Sequence, residues 1–163
     1  MLHLPVSLTP IGTIHTPYRN KAPYQPVVDA PGDFRLCIEP EFVPGLAALE
    51  RFGYIYVLYF IHRQNGSPAL TVAPDWAPEL EVGVFASRSP RRPNPIGLSV
   101  VQVCKIVDTE VYTSGLDVFD GTPLLDIKPY IQELDVKTDA NYGWLEDVHD
   151  KEHLLLHIKG VPH

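Results

Sequence analysis

The sequence predicts a mainly β protein: a small closed or partly open β-barrel of about six to seven strands with one or two short helices. Three observations predict it. Seventeen prolines and eleven glycines in 163 residues cut the chain into short pieces, which favours strands over long helices. At least six short segments are rich in β-branched and aromatic residues, several of them alternating apolar with polar. One segment, Tyr54 to Ile61 (YIYVLYFI), is apolar throughout yet too short to cross a bilayer. The length points to one domain over residues 1–163, with a core at about 8–135 and a C-terminal extension at 136–163.

Taken in order, Ile11 to His15 (IGTIH) alternates as a first strand that ends before Pro17. Residues 21–31 are irregular, broken by Pro23, Pro26 and Pro31. Phe34, Leu36 and Ile38 alternate with Arg35 and Cys37 and give a second strand. Glu41 to Phe52 is the best helix candidate, with Phe42, Leu46, Leu49 and Phe52 spaced by three or four; Pro44 fits only near its first turn. Tyr54 to Ile61 reads as a central strand buried on both faces, delivering His62 and Arg63 at its end. Asn65-Gly66 marks a turn, and residues 68–78 form an irregular connection. Ser99 to Val107 and Glu110 to Ser114 read as two strands joined by a tight turn at Asp108-Thr109. Leu124 to Ile127 is another short strand. In the tail, His153 to Lys159 (HLLLHIK) alternates with the period of a strand.

Charge and motifs exclude several classes. The formal net charge of −7 argues against binding nucleic acid with the whole surface, though not against a local basic site. The start, MLHLPVSLTP, has neither the basic residues nor the apolar core of a signal peptide. Cys37 and Cys104 lie in apolar stretches without CxxC spacing, as expected of two buried thiols in a reduced, cytoplasmic protein. There is no G-x-G-x-x-G, no GK[ST] and no G-x-S-x-G, so dinucleotide, P-loop and nucleophile-elbow sites have no support. His149 to His153 (HDKEH) fits the zinc pattern H-x-x-E-H on paper. That pattern needs a helix, and the strand-like period of the tail would part its ligands; no metal is expected.

Two stretches carry the chemistry. Val84 to Ser99 (VFASRSPRRPNPIGLS) sets Arg88, Arg91 and Arg92 among Pro90, Pro93 and Pro95. Each proline fixes its own φ and biases the preceding residue to extended backbone. With Val84 and Phe85 before it and Ile96 and Leu98 after it as apolar anchors, this is either a plain connection or a stiff cationic ribbon for an anionic or polar ligand. Gly115 to Tyr130 (GLDVFDGTPLLDIKPY) holds Asp117, Asp120 and Asp126, with Lys128 close by and a strong turn at Asp120-Gly121. Its carboxylates either cap their own backbone or accept hydrogen bonds from a ligand's hydroxyls or amines; three of them holding a divalent cation is the weaker option. Brought together, the two stretches offer cationic donors on one side and acceptors on the other.

These two blocks, in this order, closely resemble the two signature motifs of the TsaA/YaeB-like (TrmO) family, S-adenosylmethionine-dependent tRNA methyltransferases. The IGTIHTPY start, the PEFVPGL..LERF segment and the strand leading to His62-Arg63 resemble that family too, so that residues 10–135 or so are covered. The family's usual Arg-Gln-Pro-Gly stands here as Tyr24-Gln25-Pro26-Val27. The resemblance implies a homodimeric β-barrel enzyme that methylates N6 of threonylcarbamoyl-adenosine at position 37 of threonine tRNA. It implies an S-adenosylmethionine pocket drawing on Gln25, Pro26, His62, Arg63, Arg88, Leu98, Asp120, Gly121, Thr122 and Pro123. Asp120 or His62 is the expected proton acceptor, and Arg91, Arg92, Asn94, Lys128 and Tyr130 are expected to meet RNA. A small-molecule methyltransferase of the same fold, or a non-catalytic S-adenosylmethionine-binding sensor, are the alternatives.

Overall fold

In a computed structural model that describes residues 6–64 and 66–159, eight strands form. They are β1 (Gly12–His15), β2 (Arg35–Ile38), β3 (Tyr54–Phe60), β4 (Thr71–Val72), β5 (Val82–Gly83), β6 (Ile96–Val107), β7 (Glu110–Thr113) and β8 (Thr122–Pro129). Six of them close into a barrel in the order β1-β2-β7-β6-β3-β8, while β4 and β5 form a separate ribbon. Every barrel pair is antiparallel. The barrel is filled by inward residues from all six walls, among them Ile14, Leu36, Ile55, Val57, Val101, Val111 and Leu124, with Leu116 and Val118 closing one end. Removing that apolar surface from water is the main drive to fold.

Antiparallel order fixes where the connections go. Phe60 pairs with Ile96, Tyr59 with Leu124, Ile14 with Thr122 and His15 with Arg35. The three long connections, residues 16–34, 61–95 and 114–121, therefore all emerge at one rim. The opposite end carries the β6–β7 turn, where Asp108 takes φ 52°, and the link from β2 to β3.

Several expectations change. Residues 41–52 are not one α-helix but two 3-10 segments, Pro40–Leu46 and Leu49–Arg51. Pro44 lies inside the first, where it withholds an N–H, and Ala48 at φ 66° breaks the run between them. β3 is buried on one face only: Ile55, Val57 and Tyr59 point inward, while Tyr54 and Phe60 are exposed. Its two edges are paired, but a single-walled barrel leaves nothing over the outside. β6 continues that outer surface with Ile96, Leu98 and Val100 exposed, so Ile96 and Leu98 are not core anchors. Of the other pair, Val84 is fully buried and Phe85 exposed. The β4–β5 ribbon inside the second long connection has no periodic signal long enough to read.

The tail differs most. After a short helix α1 (Gln132–Asp135) and a 3-10 turn (Gly143–Asp147), residues Lys151–Lys159 form helix α2 rather than a strand. Asp150 starts it, its Oδ1 accepting the His153 amide at 2.9 Å, a cap that favours a helix. His149 precedes that helix, so the H-x-x-E-H pattern is not carried on one helical face. Among the described residues no three His, Cys, Asp or Glu gather as a metal group, and no helix is long and apolar enough to cross a membrane. The thiols are not both buried: Cys37 is half-buried and Cys104 exposed, the latter within the register shift between Val103 and Lys105. Asn65 of the expected Asn65-Gly66 turn lies outside the described residues; Gly66 has φ 83°.

Candidate functional site

The rim gathers polar groups from three connections. Deepest is a chain of hydroxyls and a carboxyl. The Tyr59 hydroxyl and Ser99 Oγ are 3.1 Å apart, and Ser99 Oγ lies 3.2 Å from Asp117 Oδ1. Alternation aims Tyr59 and Ser99 into the barrel, and the 114–121 connection brings Asp117 over them. Burial pushes the Asp117 carboxyl above its ordinary value, with the Ser99 hydroxyl and the Arg88 charge opposing. Burial, helped by the Asp117 charge, pushes the Tyr59 hydroxyl up to about 12. Arg88 thus acts on both groups from the loop above them. The arginine stretch and the aspartate stretch thus interact through charge, Arg88 acting on Asp117.

Beside this chain stands the Asp120-Gly121 turn. Gly121 has φ 79°, which an L side chain rarely adopts. The turn is pinned to β1: the Gly121 amide donates to Ile14 O at 2.9 Å and the Asp120 amide to Tyr18 O at 2.8 Å. Thr122 Oγ1 donates to Phe119 O at 2.7 Å. Asp120 Oδ1 accepts from the Thr16 amide at 3.2 Å and sits 2.8 Å from His15 Nδ1. His15 Nε2 in turn lies 3.8 Å from Asp33, which pairs with Arg35 at 3.3 Å.

The end of β3 supplies the third side. The Arg63 guanidinium stacks over the Phe119 ring at 4.5 Å and donates to Arg19 O at 2.5 Å, which joins the second connection to the other two. Partial burial and the Arg63 charge hold the His62 imidazole below its ordinary pKa. Gln64 Oε1 is buried without a hydrogen-bond partner among the described residues. Leaving a buried acceptor unpaired costs about 1–3 kcal/mol. Gln25 and Pro26 belong to the first long connection, whose Val28 O accepts the Gly115 amide at 3.4 Å.

Other expected residues are placed differently. Arg91 and Arg92 fold back on the protein: Arg91 Nε donates to Ser67 O at 3.4 Å, and Arg92 Nη1 to Ser87 O and Ser89 O at 3.2 and 3.4 Å. Asn94 is exposed beside them. Leu98 points off the outer wall at 57% exposure. Lys128 and Tyr130 sit at the far end of the barrel, Lys128 paired with Asp126 at 2.8 Å and Tyr130 packed on Tyr54 and Tyr56. Strand rise puts that end roughly 20 Å from the rim. Asp126 therefore does not join Asp117 and Asp120. Sequence reasoning missed His15, Tyr59, Ser99 and Phe119; the only signal for His15 was its place at a strand end before Thr16-Pro17.

A closed antiparallel barrel with a mixed cationic and anionic rim defines a β-barrel domain outside the Rossmann class. Comparison with known proteins gives the family. Residues 13–136 match the tRNA-methyltransferase O N-terminal domain, and the chain belongs to that family. It is 41% identical over 155 residues, 93% of its own length and 83% of the relative's, to a probable S-adenosyl-L-methionine-binding protein of Pyrococcus abyssi. It is 44% identical over 92 residues to the human tRNA (adenine(37)-N6)-methyltransferase, covering 55% of this chain and 21% of that protein. The crystal structure of TrmO from Pseudomonas aeruginosa superposes with a TM-score of 0.70 at 33% identity, over 86% of this chain and 62% of that one. The chain thus spans under two thirds of that structure's length.

Proposed function

We propose that this protein is an S-adenosylmethionine-dependent methyltransferase acting on N6 of an adenosine at position 37 of tRNA, specifically of threonylcarbamoyl-adenosine in threonine tRNA. The observation that carries this is the rim: antiparallel closure brings the three long connections to one end, and each of them holds residues that the resemblance assigns to the cofactor. The names of the human and Pyrococcus relatives support it. The rim fits the cofactor's chemistry. Arg63 and Arg88 suit its carboxylate, Asp117 and Asp120 its ammonium or ribose hydroxyls, and Gln64 Oε1 is an acceptor without a donor among the described residues.

The bound cofactor supplies an electrophilic methyl group on a sulfonium. The chain's own task is to align that group with the acceptor nitrogen, and alignment alone is worth up to about 7–11 kcal/mol in favourable cases. As the N–C bond forms and the S–C bond breaks, the nitrogen must shed a proton. His62 is the better acceptor: its lowered pKa keeps the imidazole neutral near pH 7, in line with the demands of general-base catalysis. Asp120 has one carboxylate oxygen committed to His15 and Thr16 and serves as a holder. Residues 8–135 act as the catalytic unit and 136–163 as its extension. The working state is a cytoplasmic homodimer, for which the exposed apolar outer wall of β3 and β6 offers a surface.

The test is transfer of labelled methyl to threonine tRNA that carries the threonylcarbamoyl group but not the methyl, with light scattering for the dimer. The parent is expected to methylate it, and Arg88→Ala to lose cofactor affinity. Parent protein that binds the cofactor yet leaves every tRNA unmethylated refutes the RNA assignment. A small-molecule acceptor is the second reading, favoured by the net charge of −7 and by the engagement of Arg91 and Arg92 with their own backbone. Methylation of a metabolite extract distinguishes it.

A further inference from the structure

We propose that Trp144 is a positioning residue for the cofactor site: the C-terminal segment around it clasps the Arg88 loop from outside the barrel. The inference rests on the reading of the rim given above, and it assigns a role to a segment beyond residues 13–136 that match the family. The Trp144 indole N–H donates to Ala86 O at 2.8 Å, across 58 positions of sequence. Its ring stacks on Trp76 with centroids 6.3 Å apart and planes 14° from parallel. One side chain thus touches two separate parts of the 61–95 connection, the connection that carries Arg88.

The contact matters because it fixes the start of the stretch that carries Arg88. Between β5 and β6 the chain forms no strand, only the 3-10 turn Val84–Ala86, and its far part is tied to residues 67–69, the Ala69 amide donating to Arg91 O at 3.0 Å and Arg91 Nε to Ser67 O at 3.4 Å. Between Ala86 and those ties the backbone is held by a relay of short-range bonds. Ser87 Oγ donates to Val84 O at 2.9 Å and accepts the Ser89 amide at 3.3 Å. Arg92 Nη1 then ties Ser87 O to Ser89 O. Arg88 sits inside this relay, between the Ala86 end and the Arg91 end, so its place depends in part on where Ala86 is fixed. Ala86 is fixed on one side by buried Val84 and on the other by Trp144. The clasp is itself braced: Leu154 of α2 is buried, and Lys151 Nζ donates to Glu146 O. Holding the loop before the ligand arrives removes ordering cost from binding; releasing it weakens affinity without touching the ligand.

The chain has two tryptophans, and both are in this stack, so tryptophan emission reports on the clasp. The experiment titrates the whole protein with S-adenosylhomocysteine by calorimetry and by tryptophan emission, for the parent, Trp144→Phe and Arg88→Ala. Phenylalanine keeps a ring against Trp76 but removes the N–H. Losing one neutral hydrogen bond should raise Kd about three- to tenfold while Tm stays at the parent's. In the parent, binding should change tryptophan emission, and Arg88→Ala should abolish that change. If Trp144→Phe also lowers Tm, native-state amide exchange decides: acceleration confined to Ser87, Ser89 and Arg91 supports the clasp, and equal acceleration in β3 overturns it. Parent-like affinity in Trp144→Phe, with Arg88→Ala impaired, overturns the clasp and leaves the site standing. A parent that does not bind S-adenosylhomocysteine overturns the site reading and the clasp with it.

Discussion

Gly97→Ala tests how the buried chain beneath the rim is held. Gly97 lies opposite Tyr59 in the β3–β6 ladder, and the Tyr59 ring lies across it. A Cβ at this position would meet Tyr59 Cε2, Cζ and Cδ2 at 2.0, 2.3 and 2.7 Å, so the ring must move. It cannot swing freely, because Tyr59 is only 7% exposed and its hydroxyl is 3.1 Å from Ser99 Oγ. Overpacking of this kind costs typically about 1–3 kcal/mol, and loss of the Tyr59–Ser99 hydrogen bond adds on the order of 1 kcal/mol. The expected destabilisation is roughly 2–4 kcal/mol, or about 5–12 °C in Tm for a chain of this size. Urea unfolding read by circular dichroism measures it. The same substitution in a Tyr59→Leu background should cost at least about 1 kcal/mol less, since contacting residues couple. A Gly97→Ala protein as stable as its parent would refute the reasoning, as would equal costs in the two backgrounds.

Three further predictions follow from the rim. Asp117 has a folded pKa raised by burial above the 3.8 of a free aspartate, so between those two values the folded state binds more protons than the unfolded state. Stability should then fall as pH rises through that window, and Asp117→Asn should flatten the fall in Tm measured from pH 4 upward. His15→Phe removes the Nδ1 partner of Asp120 and should weaken S-adenosylhomocysteine binding in calorimetry, whereas His15→Asn, which can offer an amide N–H at that place, should retain most of it. Gly121→Ala meets no atom within 4 Å but keeps φ at 79°, so its cost should be strain alone, about 1–2 kcal/mol in urea unfolding.

How much of this was legible depends on the range of the signal. The Asp120-Gly121 turn, the Asp108-Thr109 turn and the proline-stiffened loop are set by local backbone preference, and all three stand where the sequence put them. The strand at Tyr54 to Phe60 was legible as a strand, but not which face it buries, because an all-apolar run does not say whether a second layer covers it. His153 to Lys159 reads as a strand because three consecutive leucines satisfy period two as well as a helical face. The cap was the neglected clue: Asp150 stands three residues before His153, whose amide it accepts. His15 could not be assigned to the rim from its neighbours. Its meaning comes from Asp120, 105 positions away, through the pairing of β1 with β8.

The three arginines of the loop show why composition alone misleads. Arg88, Arg91 and Arg92 within five residues read as one basic patch, but in the fold they do different work. Arg92 spends Nη1 on two carbonyls of its own loop, and Arg91 spends Nε on Ser67. Both act as struts, supplying donors for a proline-rich backbone whose own N–H groups are depleted. A phosphate gripped by Arg92 through that nitrogen would have to displace the bonds that shape the loop. Arg88 is exposed, and its charge favours the ionised forms of the half-buried Asp117 and the buried Tyr59. Two of the three cations thus hold the backbone of the ribbon, and the third stays exposed on it.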